Sequence, residues 1–179
     1  MGKVYFVRHG QTYWNVENKI CGATDIALTP FGHEQAIETG QAIVDAGIYF
    51  DEIISSPLVR ASETARHISE MTGKPMRLDK RLTEQNFGKY EATARDGAEF
   101  QAAKEHFADR YDGGESMLHL AQRIYNLLDE LKADSDGKTY LLVAHNGIAR
   151  VVESYFLSMS NKEYASFGVK NCEILSYEW

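Results

Sequence analysis

Short apolar runs alternate with stretches of helical periodicity along this chain. Three runs are predicted to be buried strands, because each stops at a turn or helix-start signal. They cover Val4 to Val7, Glu52 to Ile54 and Tyr140 to Ala144. The stretch from Glu173 to Trp179 is predicted to form a last strand.

Between the strands, apolar residues recur at the three- and four-residue spacing of amphipathic helices. Thr29-Pro30 is typical of a helix start, with a capping threonine before a proline, and Ser56-Pro57 repeats that signal. Another helix is predicted over about Ile148 to Leu157. The residues expected to face inward from the other three helices are Ala36, Ile37, Gly40, Ile43 and Val44, then Ala61, Ala65, Ile68 and Met71, then Met117, Leu120, Ile124, Leu127, Leu128 and Leu131. Strands that alternate with helices predict a three-layer α/β/α fold with a mostly parallel central sheet.

The chain length of 179 residues suits one domain with a substantial core. Residues 85–115 are polar and poorly periodic, unlike the segments on either side of them. We therefore expect a single domain over residues 1–179, with a short lid or insertion at about 85–115.

The net charge of −7 argues against nucleic acid or an anionic membrane surface as the partner, since both are negatively charged. A small anionic ligand stays compatible, because local cations can outweigh the distant field. Cys21 and Cys172 lie far apart in sequence, which favours a reducing compartment over a disulfide framework. No apolar stretch approaches the roughly 20 residues of a bilayer crossing, and no signal peptide is visible. We expect a cytoplasmic protein.

Polar and charged residues follow each of the three predicted strands. The triplets are Arg8-His9-Gly10, Ser55-Ser56-Pro57 and His145-Asn146-Gly147. In open α/β sheets the ligand crevice lies beyond the carboxyl ends of the strands, so these triplets are expected to meet. Arg60 falls near the start of the helix after Ser56, where the helix dipole already presents positive charge. An anion between Arg60 and Arg8 would remove this conflict, and phosphate matches their guanidinium groups.

The two histidines at the strand ends indicate phosphoryl transfer. One of them, if neutral, can attack phosphorus and form a phosphohistidine. The other, protonated, would stabilise charge on the phosphoryl oxygens. A departing alkoxide also needs a proton, which a carboxyl group can supply. Among the 26 acidic residues, Glu84 stands out only because a turn-like Phe87-Gly88 follows it.

Metal ligation is the other common use of histidine. The six histidines are His9, His33, His67, His106, His119 and His145. No two of them lie three to five residues apart, which is the common spacing of metal ligands on a helix. We therefore expect chemistry without a metal or any other cofactor, in which arginine and imidazolium supply the positive charge.

Seven motifs in sequence order resemble the histidine phosphatase superfamily, also called the phosphoglycerate mutase-like family. The motifs are Arg8-His9-Gly10, Gln11-Thr12-x-Trp14-Asn15, Leu28-Thr29-x-x-Gly32, Ser55-Ser56-Pro57-x-x-Arg60-Ala61-x-x-Thr64-Ala65, Glu84-x-x-Phe87-Gly88, Gly113-Gly114-Glu115-Ser116 and Ala144-His145. The resemblance runs from residue 4 to about 151. It implies the phosphoglycerate mutase-like fold and phosphoryl transfer from a small phosphorylated metabolite.

The resemblance also implies a role for each site position. It makes His9 the phosphate-accepting nucleophile, His145 the second histidine and Glu84 the proton donor. The implied phosphate-binding positions are Arg8, Asn15, Arg60 and Asn146, and the implied pocket mouth consists of Gln11, Thr12, Cys21 and Gly22.

Three positions depart from the family pattern. Asn146 follows the second histidine where a glycine is usual, and asparagine tolerates a left-handed backbone better than most residues. Lys19-Ile20-Cys21-Gly22 replaces an Arg-x-Gln-Gly sequence, and Ala92 stands where a glycine often follows Tyr90-Glu91. These changes lie at the rim of the pocket, so they bear on the substrate rather than on the chemistry.

Three functions fit the resemblance. We expect a phosphomonoester hydrolase, in which water releases phosphate from His9. A cofactor-dependent phosphoglycerate mutase is the alternative, and Trp14-Asn15-x-Glu17-Asn18 resembles mutase sequences. Such mutases typically carry a longer insertion after the acid, and an Arg-His-Tyr sequence where this chain has Gln85-Asn86-Phe87. The third function is an inactive module that binds phosphorylated ligands, which would be expected to have lost a histidine or the acid.

Overall fold

A five-stranded sheet lies at the centre of the fold in the computed structural model, which describes residues 2–134 and 137–179. Its strands are β1 (Lys3–Arg8), β2 (Glu52–Ser55), β3 (Met76–Leu78), β4 (Thr139–Ala144) and β5 (Ile174–Glu178). The strand order is β3-β2-β4-β1-β5. β5 runs antiparallel to β1, and the other neighbouring strands are parallel. The prediction of a mostly parallel sheet is confirmed.

Helices cover both faces of the sheet. They are α1 (Tyr13–Val16), α2 (Pro30–Asp45), α3 (Val59–Thr72), α4 (Ala98–Ala103), α5 (Met117–Ala133), α6 (Asn146–Phe156) and α7 (Asn161–Ser166). α2 and α3 pack on one face, and α5 and α6 pack on the other. Among the described residues, no helix combines the length and the apolar content that a membrane crossing needs.

Successive residues of β1 and β4 point to opposite faces of the sheet. Phe6 and Leu142 pack with α5 and α6, whereas Val7 and Val143 pack with α2 and α3. Both faces of these strands are therefore buried, which explains their unbroken apolar sequence. The packing also makes the carboxyl ends of β1 and β4 rigid positions for functional side chains.

The inward stripe predicted on α5 is confirmed, but the stripes predicted on α2 and α3 are too wide. Ile37 and Val44 are 43% and 47% exposed, so the prediction that they face inward is wrong, and Met71 is 39% exposed although its side chain packs against α2. The two helices approach closely, since a Cβ on Gly40 would lie 3.0 Å from the Met71 Cβ. Side chains on either side of this close contact are left at the surface.

The start of α3 also differs from the prediction. The N-cap is Leu58, whose side chain makes no capping hydrogen bond, and Asp25 Oδ1 accepts from the Val59 N–H at 2.8 Å. Ser56 instead accepts from the Leu58 N–H at 3.3 Å and bonds to His145. The serine that the sequence assigned to a helix cap is therefore part of the functional site.

Several short elements are absent from the sequence-based prediction. β3, α1, α4 and α7 have three to six residues each, which is too short for hydrophobic periodicity to indicate. The predicted helix from Ile148 begins two residues earlier, at Asn146. The last strand is shorter than predicted, since it spans Ile174–Glu178.

Residues 85–115 form short turns and α4 around a small apolar cluster. The cluster consists of Ile20, Phe87, Tyr90, Phe100, Ala103 and Tyr111. Ala92 has a φ of +65°, a left-handed conformation that costs a non-glycine residue about 1 kcal/mol. Glycine adopts this conformation without that cost, which explains why a glycine is common at the position of Ala92. A lid role for this segment stays a prediction, as does a single domain over 1–179.

Candidate active site

Three strand ends meet at one edge of the sheet. β2, β4 and β1 are neighbours, and Ser56, His145 and His9 follow them directly. The ring centroids of His9 and His145 are 5.2 Å apart, and His145 Nε2 lies 2.7 Å from Ser56 Oγ. The fold thus brings together the two histidines that the sequence singled out.

His9 has a defined tautomer. Its Nδ1 lies 2.7 Å from the Gly10 carbonyl oxygen, and a carbonyl only accepts, so Nδ1 carries the proton and Nε2 carries the lone pair. Burial and the nearby guanidinium groups of Arg60 and Arg8 hold the pKa of His9 well below its usual range. The ring is therefore neutral at physiological pH, with Nε2 as its nucleophilic atom.

His145 is neutral as well, with the opposite tautomer. Arg60 Nε–H donates to His145 Nδ1 at 3.2 Å, so the imidazole proton lies on Nε2, which donates to Ser56 Oγ. Burial and the Arg60 charge hold the pKa of His145 well below its usual range. The expectation of a protonated second histidine is therefore wrong for this structure, because Arg60 donates to the nitrogen that would take the proton.

Arg60 is a fully buried residue in the first turn of α3. Its terminal nitrogens donate to the carbonyl oxygens of Gly22 at 2.7 Å and Thr24 at 2.8 Å. These acceptors, with His145, offset the unfavourable position of a cation at a helix start. Arg60 therefore does not require an anion at this place, and direct phosphate binding by Arg60 stays a prediction.

Glu91 fixes the loop that binds Arg60, a role that the sequence did not indicate. Its carboxylate accepts from the backbone N–H of Gly22 at 3.1 Å and of Ala23 at 3.0 Å, and from the Thr24 hydroxyl at 2.8 Å. The loop carbonyls are thereby held towards Arg60. Spacing gives no signal for such a residue, because its partners are mostly backbone groups, and Gly22 lies 69 residues earlier.

Glu84 is buried on the wall of the site. Its two oxygens accept from the Gln85 N–H at 2.8 Å and the Gly147 N–H at 2.9 Å. Burial raises the pKa of the carboxyl, although both N–H groups and Arg60 oppose the shift. A Cβ at position 147 would lie 2.4 Å from Glu84 Oε1, so a larger residue there would displace this carboxyl group. A carboxyl group that keeps its proton in this place is suited to act as a general acid.

Arg8 and Asn15 present buried donors beside His9. Arg8 NH1 donates to the Val169 carbonyl at 2.5 Å. Arg8 Nε and Asn15 Nδ2 have no hydrogen-bond partner among the described residues. Unpaired buried donors are costly, so two of them on one cavity wall fit an acceptor such as a phosphoryl oxygen. Burial and the neighbouring Arg95 lower the pKa of Arg8 to about 10, which leaves it charged at neutral pH.

A cavity of about 380 Å³ opens beside His9. Four cationic side chains that the sequence did not single out line it, namely Arg95, Lys104, Arg150 and Lys170. Burial and the Arg150 charge lower the pKa of Lys104 to about 8. Arg150 is itself buried and donates to the Phe167 carbonyl at 2.8 Å. Such a concentration of positive charge in a chain of net charge −7 indicates an anionic ligand.

The residues of this site lie within the match to a known family. The profile of the histidine phosphatase superfamily (branch 1) matches residues 4–179. The chain belongs to this superfamily. The match extends beyond residue 151, where the resemblance in the motifs ends. It therefore includes the segment with Val169 and Lys170, which lines the cavity.

Relatives within the superfamily are named after two different reactions. The probable phosphoglycerate mutase GpmB of Erwinia tasmaniensis is 35% identical over 181 residues, which cover 97% of this chain and 83% of that protein. A mycobacterial glucosyl-3-phosphoglycerate phosphatase, solved with VO3, is 28% identical with a TM-score of 0.84, over 97% of this chain and 90% of that one. A phosphoserine phosphatase mutant from Entamoeba histolytica, solved with phosphoserine, is 31% identical with a TM-score of 0.83, over 98% and 90%. The chain is thus a phosphoryl-transfer enzyme of the superfamily.

Of the four residues predicted at the pocket mouth, Cys21 lines the cavity. Burial raises the pKa of its thiol to about 11, so it is protonated and acts as a packing residue. The other three face elsewhere, because the chain after β1 turns towards α2. The Gln11 side chain accepts a hydrogen bond at the start of α2, Thr12 caps α1, and the Gly22 carbonyl faces Arg60. None of the three lines the cavity, and their place at its mouth stays a prediction.

The segment before β5 supports the strand end that carries the nucleophile. Asn171 Nδ2 donates to the His9 carbonyl at 2.8 Å, and the Val169 N–H donates to Asn146 Oδ1 at 2.8 Å. Asn146 lines the cavity as the first residue of α6, and its φ is not positive. The left-handed backbone considered for Asn146 is therefore wrong. A backbone contact from Asn146 to phosphate stays a prediction.

Proposed function

We propose that this chain is a metal-independent phosphomonoester hydrolase that acts through a phosphohistidine on His9. The observation that carries the proposal is the arrangement around His9. Gly10 fixes the proton on Nδ1, so the Nε2 lone pair is available beside the unpaired donors of Arg8 and Asn15.

The proposed reaction has two steps. In the first, His9 Nε2 attacks phosphorus, the P–O ester bond breaks, and the Glu84 carboxyl gives its proton to the leaving oxygen. In the second, the Glu84 carboxylate takes a proton from water, which attacks phosphorus and breaks the P–N bond. Arg8 and Asn15 donate to the phosphoryl oxygens, and burial together with the Arg60 charge keeps His9 neutral by lowering its pKa. General acid catalysis of this kind contributes about 10²–10⁴-fold.

Isomerisation is the second candidate, and the name of the Erwinia relative favours it. Hydrolysis is favoured by the short connection after Glu84. Residues 85–115 hold a 3₁₀ turn and the six-residue α4, without the long insertion of cofactor-dependent mutases. A phosphoenzyme in such a site is more accessible to water.

The cationic cavity wall supports a substrate that carries a second anionic group. Arg8 and Asn15 lie beside His9, and the remaining cations can then bind a carboxylate or a further phosphate. The named ligands of the Entamoeba phosphatase, phosphoserine and 3-phosphoglyceric acid, both bear a carboxylate. We infer that this chain takes a small phosphorylated carboxylic acid.

A product analysis distinguishes the three functions. The purified chain is incubated in EDTA with 3-phosphoglycerate and a trace of 2,3-bisphosphoglycerate, which would phosphorylate the histidine of a cofactor-dependent mutase. Phosphoserine is tested in parallel, and products are followed by phosphorus NMR. We expect inorganic phosphate from at least one substrate. Formation of 2-phosphoglycerate without inorganic phosphate would instead identify an isomerase. Tight binding with neither product would identify a binding module.

Lys104→Met tests the second anionic group, because it removes the charge and keeps the length of the side chain. We expect kcat/KM for phosphoserine to fall about 10-fold, the loss of one partly desolvated charged hydrogen bond. Turnover of para-nitrophenyl phosphate, which lacks the carboxylate, should change little. Lys162→Met is the matched control, since Lys162 is exposed on α7 and does not line the cavity. Equal losses on both substrates would show that Lys104 does not bind the carboxylate.

A further inference from the structure

Three metal-ligating side chains meet between α2 and α3, outside the phosphoryl-transfer site. His33 comes from α2, and Glu63 and His67 come from α3. Their ligand atoms all lie within 4.8 Å of one another. We propose that His33, Glu63 and His67 bind one divalent transition-metal ion of the zinc type.

The histidine pair is close to the geometry that a metal requires. His33 Nδ1 and His67 Nε2 are 2.9 Å apart, and the rings are nearly perpendicular, at 87°. A tetrahedral zinc ion with Zn–N bonds of about 2.0–2.1 Å holds two ligand nitrogens about 3.3 Å apart. A small rotation of the two side chains, which lengthens the distance between these nitrogens by a few tenths of an ångström, therefore lets a metal ion replace the proton that the rings share.

Glu63 supplies the third ligand from the same face as His67. The two residues are four apart on α3, which places their side chains side by side. Arg66 binds Glu63 Oε2 at 2.6 Å, and the other carboxylate oxygen can then coordinate the metal. Glu70 Oε2 lies 4.0 Å from His67 Nδ1, where a small rotation allows it to orient the ring from outside the coordination sphere.

The donor set of the cluster favours metal binding. Metal ions bind through the lone pair of an imidazole nitrogen, and His33 Nδ1 and His67 Nε2 already face each other. Two nitrogens and one carboxylate oxygen suit zinc, and nickel or copper would also bind. Sequence spacing does not indicate this site, because its two histidines lie on different helices, 34 residues apart.

The proposed metal site lies next to a residue that holds the backbone just after His9. Thr64, which follows Glu63, accepts from the Gly10 N–H at 3.1 Å. A metal ion that joins α2 to α3 would fasten the helix that makes this contact. We therefore expect the bound metal to raise the unfolding temperature of the chain, as any ligand of the native state does.

Calorimetric titration tests the proposal on the untagged chain, after EDTA treatment and removal of the chelator. We expect one Zn²⁺ per chain in the wild type. Affinity should fall at least 10-fold in His33→Gln and in His67→Gln, and stay unchanged in His119→Gln, a control at an exposed histidine. Zn²⁺ should raise the unfolding temperature of the wild type and of the control only.

Co²⁺ absorption gives a second readout, since a nitrogen-and-oxygen site produces d–d bands that depend on its ligands. Glu63→Gln should alter these bands while both histidines still bind. If either histidine variant fails to fold by circular dichroism, this milder variant decides the question. The proposal is overturned if the wild type shows no saturable binding, or if the three ligand variants bind like the control. Phosphate release in EDTA does not depend on this site, so the proposed function can fail or hold independently.

Discussion

His9→Asn is expected to lower kcat by about 10⁴–10⁶-fold, the scale of loss seen when a catalytic nucleophile is removed. The asparagine amide nitrogen takes the place of His9 Nδ1, so donation to the Gly10 carbonyl is kept. What disappears is Nε2 and its lone pair. Steady-state release of phosphate from phosphoserine and from para-nitrophenyl phosphate measures the effect, and both substrates should lose it equally.

A trapping experiment identifies the atom that carries phosphate. The wild type, mixed briefly with ³²P-labelled substrate and denatured, should retain label that is stable in alkali and labile in acid. His9→Asn should retain none, and its far-ultraviolet circular dichroism and unfolding temperature should stay close to those of the wild type. Acid-stable label, as on a serine, would contradict the mechanism, and Ser56 would then be the residue to examine, since it bonds to His145.

The central part of the site could be predicted from sequence for a physical reason. Parallel strands expose their carboxyl ends at one edge, so residues that follow β1, β2 and β4 must lie close together. Arg8, His9 and His145 are placed by this rule, with no knowledge of side-chain contacts. The same rule places Ser56, although its local sequence suggested a helix cap.

The parts that could not be predicted depend on contacts without a sequence period. Arg60 binds carbonyl groups of a loop, and Glu91 binds the backbone of the same loop. Arg150 lies on α6, where spacing indicated only a helix, and Lys104 lies in the segment that had no periodicity. The protonation state of His145 could not be predicted from the sequence either, because it depends on the direction of one hydrogen bond from Arg60.

Glu84→Gln is expected to lower kcat/KM for alkyl phosphates such as phosphoserine by about 10²–10⁴-fold, the usual contribution of a general acid. The substitution keeps the shape of the side chain and removes the transferable proton. The loss should be much smaller for para-nitrophenyl phosphate, because nitrophenolate leaves readily without protonation. Kinetics on both substrates from the same preparation give the comparison.

The pH profile provides the decisive control for Glu84. Burial raises the pKa of the carboxyl, so the wild type should keep its activity on phosphoserine at acidic pH and lose it as pH rises through that pKa. In Glu84→Gln this alkaline decline should shift or vanish, because the group that titrates is gone. Glu34→Gln is the control, since Glu34 is exposed on α2 and does not line the cavity. If Glu84→Gln loses equal activity on both esters and keeps the wild-type profile, Glu84 positions the substrate or supports Gly147. The proton donor must then be another acid, and Glu115 and Glu17 are the first candidates.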